Sequence, residues 1–174
     1  VREVTIPGLE PARVAHTVTV AAEMTQALGR TYAAHHREHG LDVRINLALA
    51  RQFAARDYIL SQRVRTRLMA DFANIWQDVD AVVTPATGLT APAINPQALS
   101  GGESDLTTLA EIMRFSTPAN LTGLPAIVLP CGFSSAGLPI GLQLVVRPWA
   151  ENVLLRAAQA YENATDWHTR RPVW

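Results

Sequence analysis

Apolar side chains recur at intervals of three and four residues over two long stretches in the first half of the chain. One stretch runs from Pro11 to about Leu28, and the other runs from Leu41 to about Val79. This spacing places apolar side chains on one face of a helix, so it predicts helices there, the second region in one piece or two. The residues before them, Val1–Ile6, alternate in polarity, which predicts a short strand.

Shorter apolar runs, punctuated by Pro and Gly, replace the helical pattern in the second half. They predict strands over Asp80–Pro85, Ala126–Pro130 and Ile140–Val146. The stretch Gly132–Pro139 between the last two is rich in Gly, Ser and Pro, so it predicts a turn that joins adjacent strands. The segment Asn120–Pro125 is predicted as a turn that leads into the second strand, because Gly and Pro interrupt it.

Helices are predicted again before and after this pair of strands. A loop rich in Pro and Gly, Thr84–Gly102, leads to a short helix from Leu106 to about Phe115, with Ser104 or Asp105 as its N-terminal cap. An amphipathic pattern over Trp149–Ala164 predicts the last helix. This order of helices and strands predicts a mixed α/β fold with helices on the faces of a sheet.

The composition is that of a globular protein, with 48% hydrophobic and 17% charged residues. The 15 basic and 15 acidic residues give a formal net charge of zero, which argues against a general surface for nucleic acid. No apolar run reaches about 18 residues, so no transmembrane segment is predicted. The chain begins with Val1 and with a strand that lacks a preceding partner, so we expect residues 1–174 to be a single partial domain.

Residue types that often carry chemistry give few strong signals here. The single cysteine, Cys131, cannot form an internal disulfide, which favours a cytoplasmic location. His16 lies near the apolar stripe of the first helix, so a partly buried core histidine is predicted. The segment His35–His39 lacks the HExxH order of a zinc site and is predicted to be a solvated helix end. Neither a metal nor an organic cofactor is expected.

The pair Ser134-Ser135 lies in the loop rich in Gly and Ser and is the nearest match to a serine nucleophile. It lacks the GxSxG pattern of a nucleophile elbow, so a role in the turn is favoured. A triad assembled with His16 or His168 stays open, because members of a triad meet in space and need not be neighbours in sequence. All 15 basic residues are arginine, and the absence of lysine removes one class of catalytic base.

Four short motifs follow one another in the second half of the chain. They are Asp80-Ala-Val-Val-Thr-Pro, Asn120-Leu-Thr-Gly-Leu-Pro-Ala, Leu129-Pro-Cys-Gly and Gly137-Leu-Pro-Ile-Gly-Leu-Gln. In this order they resemble the C-terminal portion of the amidase signature family. The segments Leu41–Arg51, Gly102–Thr108 and Arg147–Trp149 look closest to fatty acid amide hydrolase-like amidases of plants and bacteria. The resemblance covers essentially the whole chain.

The resemblance implies an α/β fold that forms the C-terminal part of an α/β/α sandwich with a mixed central sheet. It also implies hydrolysis of a carboxamide by a serine nucleophile, a second serine on a cis peptide bond and a lysine base. This chain has neither a lysine nor a Gly-Gly-Ser-Ser-Gly element, so we expect the catalytic residues to lie upstream of it. We therefore expect the isolated chain to be inactive, and the missing N-terminal part of the same domain to be its partner.

The same resemblance points to a substrate-binding wall before the second strand. Relatives that use glutamine often carry an acidic residue shortly before the Asn120 motif, and the matching position here is Met113, followed by Arg114 and Phe115. Met and Phe suit an acyl or aryl group better than a zwitterion. We expect Met113, Phe115 and Asn120 to bind substrate, with Asn120 anchoring the loop through its amide. The alternative is that Met113 and Phe115 only pack on the sheet.

Three interpretations of the whole protein follow. The favoured one is an amidase that cleaves a small-molecule fatty acid amide, or an aryl or alkyl amide, to a carboxylic acid and an amine or ammonia. The second is the A-type subunit of a glutamine-using amidotransferase of the glutamyl-tRNA(Gln) kind, which works with a partner chain. The third is a truncated, non-catalytic amidase-like protein that binds amides or another protein chain, although exposed strand edges argue against it. A homodimer stays open.

Overall fold

The structure, a computed structural model, describes residues 1–97 and 105–172. The elements in these ranges are α1 (Leu9–His35), α2 (Leu41–Ala50), α3 (Ala55–Ile75), β1 (Ala81–Pro85), α4 (Leu106–Ile112), α5 (Thr117–Thr122), β2 (Ala126–Phe133), β3 (Pro139–Val146) and α6 (Glu151–Ala164). A 3₁₀ helix, Trp167–Thr169, follows α6. This order agrees with the predicted one apart from the first strand and from α5.

The three strands form one antiparallel sheet in the order β1–β3–β2, so β3 lies at its centre. Val145 of β3 lies opposite Val82 of β1 and Ala126 of β2. Because successive side chains of a strand point to opposite faces, Val145 faces one side of the sheet and its neighbour Leu144 faces the other. Both faces must therefore be covered by other parts of the chain.

Helices cover both faces of this sheet. On one face, Leu144 and Val146 belong to a buried cluster with Leu154 and Ala158 of α6. On the other face, Val145 belongs to a buried cluster with α1, α3 and α5, whose members are Ala12, Ala15, Leu68, Phe72, Ala119 and Leu121. The result is a mixed α/β fold with helices on both faces of the sheet, as the sequence and the family resemblance predicted.

The two predicted helical stretches are confirmed, although their ends differ. α1 extends to His35, beyond its predicted end, because the exposed Gly29 is tolerated inside a helix. The second stretch divides into α2 and α3 after Arg51. There Asp57 Oδ2 accepts a hydrogen bond from the backbone N–H of Ala54 at 2.8 Å and begins α3.

The strand predicted over Val1–Ile6 is wrong, because these residues form no strand. Alternating polarity suits any extended segment, but a strand also needs a neighbour for its backbone hydrogen bonds. The three described strands pair only with one another. Side-chain contacts hold the segment instead, since Arg2 Nη2 lies 3.2 Å from Asp78 Oδ2 and Ile6 packs against the core.

The turn predicted between the last two strands is confirmed. The backbone N–H of Ser134 donates to the Leu138 carbonyl oxygen at 2.8 Å. Ser134 Oγ accepts hydrogen bonds from the backbone N–H groups of Ala136 at 3.3 Å and Leu138 at 3.2 Å. Gly137 has a φ of 77°, which few other residues adopt without strain. The Ser134 hydroxyl is thus part of the hairpin turn, as predicted.

Helix α5 was not predicted, because its segment was assigned to a turn. Pro118 is accepted near the start of a helix, where its missing N–H has no partner to lose. Gly123 ends α5 in the left-handed conformation, with a φ of 73°, and its N–H donates to the Ala119 carbonyl oxygen at 2.8 Å. The turn predicted at Gly123 is correct, but a short helix precedes it.

The N-terminal cap of α4 agrees with one of the two predicted candidates. Asp105 Oδ1 accepts hydrogen bonds from the backbone N–H groups of Thr107 at 3.0 Å and Thr108 at 3.1 Å. The other candidate, Ser104, and the predicted loop residues from 98 to 102 lie outside the described residues. Helix α4 ends at Ile112, a turn earlier than predicted.

Candidate functional site

Residues Met113–Ser116 form the corner between α4 and α5, named the α4–α5 corner. The Met113 carbonyl oxygen accepts hydrogen bonds from the Thr117 backbone N–H at 3.0 Å, from Thr117 Oγ1 at 2.9 Å and from Ser116 Oγ at 3.1 Å. Gln143 Nε2 in β3 donates to the Phe115 carbonyl oxygen at 2.9 Å. These bonds fix the corner near the centre of the sheet.

A first cavity, of about 230 Å³, lies between α1, α2, α4 and the start of α5. Most of its wall is apolar, with side chains that include Val20, Met24, Leu106, Leu109 and Met113. Polar atoms come from His16 and Asn46, among others. An apolar cavity of about 150 Å³ holds benzene, so the first cavity has room for an aryl ring or for a segment of an acyl chain.

A second cavity, of about 410 Å³, lies between the first turns of α1, helix α5 and the sheet. Its apolar lining includes Phe115, Leu9, Phe72 and Val82. It also carries several polar groups, which include Glu10, Thr84, Arg114 and Gln143. The α4–α5 corner thus contributes Met113 to one cavity and Phe115 to the other.

Arg13 borders both cavities. Its Nη2 lies 2.6 Å from Glu111 Oε1, and Arg114 Nη1 lies 3.5 Å from Glu111 Oε2. The hydrogen bond from Arg13 lowers the pKa of the Glu111 carboxyl most, and the positive charges of both arginines lower it further. Glu111 is therefore ionised at neutral pH and engaged by two guanidinium groups.

His16 is the buried histidine of the first cavity, with 6% of its surface exposed. Its burial in α1 agrees with the prediction of a core histidine. Burial lowers the pKa of the imidazole, because the charged form loses its hydration. The ring is therefore neutral at neutral pH, and it gives the cavity a polar but uncharged group.

We expect the stability of the protein to decline in acid partly through His16. The imidazole has an ordinary pKa of 6.5 in the unfolded chain and a lower pKa in the folded one, so the unfolded state takes up the proton first. The contribution of neutral His16 to the free energy of unfolding is complete above pH 6.5, and it is lost as the pH falls toward the pKa of the folded state. The midpoint of thermal unfolding should fall less between about pH 7.5 and about pH 5 in His16→Leu than in the parent protein. Equal falls in the two proteins would contradict the expectation.

The structure brings together two of the three predicted substrate-binding residues. Met113 and Phe115 lie two residues apart in the α4–α5 corner and line the first and the second cavity, respectively. Asn120 lies on the exposed side of α5 and lines neither cavity. Within the described part of the chain, its side-chain amide has no hydrogen-bond partner, and its backbone N–H donates to the Ser116 carbonyl oxygen at 3.0 Å.

Three other residues of the site were not predicted from the sequence. His16 and Arg13 come from α1, almost a hundred residues away from the α4–α5 corner, and no local pattern indicates that contact. Gln143 did carry a signal, because it is a polar residue inside the apolar run of β3. A buried amide in such a run needs hydrogen-bond partners, and this requirement could have singled it out.

The described residues contain no group of three or more His, Cys, Asp or Glu side chains that could hold a metal ion. Among the described helices, none combines the length and the apolar character that crossing a membrane requires. Cys131 lies at the bulge of β2, where its Sγ lies 3.5 Å from the Ile140 carbonyl oxygen.

Gly88 holds the loop after β1 against α4, since its backbone N–H donates to the Glu111 carbonyl oxygen at 3.1 Å. A Cβ at Gly88 would collide with that same oxygen, so Gly88→Ala should break the bond and destabilise the fold by about 1 to 2 kcal/mol. Gly29→Ala is the matched control, because nothing lies within 4 Å of a Cβ there and Ala favours the helix. Chemical denaturation should show a lower free energy of unfolding for Gly88→Ala and a higher one for Gly29→Ala. An unchanged free energy of unfolding in Gly88→Ala would contradict the expected collision.

Comparisons with known proteins agree on one family. The sequence profile of the family described as Amidase matches residues 8–155. The chain is 45% identical over 172 residues to a fatty acid amide hydrolase of Medicago truncatula, which covers 98% of this chain and 28% of that protein. It is also 45% identical over 118 residues to the A-type subunit of the glutamyl-tRNA(Gln) amidotransferase of Chloroflexus aggregans, over 66% of this chain and 22% of that protein.

A solved structure described as an amidase superposes with a TM-score of 0.80 at 25% identity, over 94% of this chain and 37% of the solved chain. The chain thus spans little more than a quarter of the length of the fatty acid amide hydrolase it matches. The family profile, the sequence relatives and the fold agree, and the chain belongs to the amidase signature family.

Proposed function

We propose that this chain is the C-terminal portion of an amidase that hydrolyses a fatty acid amide, or an aryl or alkyl amide, to a carboxylic acid and an amine or ammonia. The observation that carries the proposal is the apolar first cavity beside Met113. Its lining suits an uncharged hydrocarbon or aryl group, since burial of apolar surface favours binding. The similarity to the fatty acid amide hydrolase of Medicago truncatula supports the same class of substrate.

The charges around the first cavity favour an uncharged acyl group over glutamine. The ammonium group of glutamine would need a carboxylate partner, because an unpaired charge is costly to bury. The acid nearest to Met113 in sequence, Glu111, is already engaged by Arg13 and Arg114. His16 offers no negative charge either, because its imidazole is neutral here and would be positive if protonated. An apolar acyl group carries no charge, so it needs no ionic partner when it is buried in the first cavity.

The proposed chemistry takes place on residues outside this chain. A serine attacks the amide carbonyl while its proton passes through a second serine to a neutral lysine. The C–N bond then breaks as that proton is returned to the leaving nitrogen, which departs as the amine or ammonia, and water hydrolyses the acyl-serine to the carboxylic acid and the free serine. The role proposed for this chain is to hold the acyl group and to exclude water beside it, with Met113 and Phe115 as parts of the wall. The chain alone would then be inactive and would need the N-terminal part of its domain.

Substrate profiling of the full-length protein tests the proposal. Hydrolysis of long-chain acyl amides should exceed hydrolysis of glutamine, and the chain alone should hydrolyse neither. The amidotransferase alternative is kept because of the relative in Chloroflexus aggregans, although that similarity covers only 66% of this chain. Dominant glutamine turnover would favour that alternative. Amide binding without turnover by the full-length protein would favour a non-catalytic one.

Two further expectations remain predictions. The homodimer can be tested by light scattering on the full-length protein, and the cytoplasmic location by fractionation of cells that express it.

A further inference from the structure

Gln143 lies at the centre of β3 with 3% of its surface exposed, and its amide links three parts of the fold. Nε2 donates to Thr84 Oγ1 of β1 at 3.0 Å and to the Phe115 carbonyl oxygen at 2.9 Å. A primary amide nitrogen carries two N–H donors, so both are used here. A Met or Leu of similar size fills the same space but donates neither bond.

The hydrogen bond from Gln143 to Phe115 links the α4–α5 corner to the sheet. Within the described residues, it is the one hydrogen bond that joins the α4–α5 corner to the sheet. The other bonds of the corner, such as those to the Met113 carbonyl oxygen, join it to its own helices. Gln143 therefore sets the position of the corner relative to the sheet.

We propose that Gln143 is a positioning residue that sets selectivity for the acyl group through the Phe115 carbonyl. The inference rests on the proposed function, because it takes the α4–α5 corner to be part of the acyl-binding wall. Met113 and Phe115 project from this corner into two cavities, so a corner released from the sheet changes the shape of both. A long acyl group that fills its cavity is affected by this change more than a short one.

The kinetic test compares dodecanamide with propionamide on the full-length protein. Gln143→Met should lower the ratio of the two kcat/KM values by about tenfold, with the loss confined to the long substrate. The matched control is Thr122→Val, which removes a hydrogen bond of another buried residue, from Thr122 Oγ1 to the Pro118 carbonyl oxygen at 2.6 Å, and leaves the bond to Phe115 intact. Its ratio should stay within about twofold. An unchanged ratio in folded Gln143→Met would overturn the proposal.

A second variant distinguishes hydrogen bonding from packing. In Gln143→Glu, an ionised carboxylate would face the Phe115 carbonyl oxygen and repel it, whereas a protonated carboxyl can donate one hydrogen bond. The burial of this site raises the pKa of a carboxyl placed there. The selectivity ratio of Gln143→Glu should therefore recover as the pH is lowered. A ratio that equals that of the parent protein at high pH, where the carboxylate is ionised, would mean that the volume of the side chain alone matters, which contradicts the proposal.

Hydrogen exchange separates this inference from the proposed function. The Thr117 backbone N–H, which is bonded to the Met113 carbonyl oxygen, should exchange about tenfold faster in Gln143→Met than in Thr122→Val. If the full-length protein hydrolyses no acyl amide, the proposed function fails, while faster exchange still supports Gln143 as the residue that holds the corner. Equal exchange in the two variants would overturn that role, whatever the substrate is.

Discussion

Replacing Met113 with Asp should lower kcat/KM of the full-length protein for a long-chain acyl amide by about a hundredfold, equivalent to about 2.7 kcal/mol. Met113 is part of the apolar wall of the first cavity. A carboxylate in that wall loses hydration when an acyl chain enters, and this cost opposes binding. Arg13 borders the same cavity, but it already pairs with Glu111, so it can neutralise the new charge only by weakening that pair.

Met113→Leu is the matched control, because Leu keeps the apolar character and nearly the volume of Met. It should stay within about threefold of the parent protein. Steady-state kinetics with a long-chain amide and with glutamine measures both effects, and the unfolding midpoint verifies that each variant folds. If a folded Met113→Asp protein kept its activity on the long-chain amide, the first cavity would not hold the acyl group. Met113 would then have only a packing role.

The parts of the fold that the sequence predicted well are those fixed by local rules. The last two strands are apolar runs on either side of a turn that needs Gly137, and their pairing follows from the shortness of the turn. The last helix follows from an amphipathic stripe over residues 151–164. In such elements, the residues that decide the structure are neighbours in sequence, so periodicity and turn chemistry suffice.

The parts that were missed depend on distant contacts. Val1–Ile6 has the alternation of a strand, but the sequence cannot tell whether another strand lies beside it. Helix α5 is too short to be stable alone, and it is held by the burial of Ala119 and Leu121 against α1 and α3. Propensity alone therefore assigns it to a turn.

The candidate site shows the same division. A motif close to Met113 and Phe115 in sequence fixes their alignment and singles them out as candidates, and their role in binding substrate stays a prediction. The walls that face them come from distant parts of the chain, which include α1, and no pattern in the sequence pairs His16 with Met113. The two cavities are products of tertiary packing, and so is the ion pair of Arg13 with Glu111 between them.

Truncating the side chain of Leu68 should lower the free energy of unfolding more than most truncations in the helical layer that carries the site. Its side chain in α3 has 0% exposure, and it packs in the cluster that joins α3 to Ala12 and Ala15 of α1. Leu68→Ala removes buried apolar atoms and leaves a cavity that the surrounding helices fill only partly, so it should destabilise the protein by about 3 to 4 kcal/mol. α1 also carries Arg13 and His16, so loosening its packing on α3 should change the shape of the cavities that these residues line.

The next residue in the chain provides the control for this prediction. Met69 lies on the same helix with 45% exposure, so Met69→Ala deletes a side chain of similar size with a change of only about 0.5 kcal/mol. Urea denaturation followed by circular dichroism measures both variants under the same conditions. Equal losses for the two would mean that the packing of α1 on α3 does not depend on Leu68.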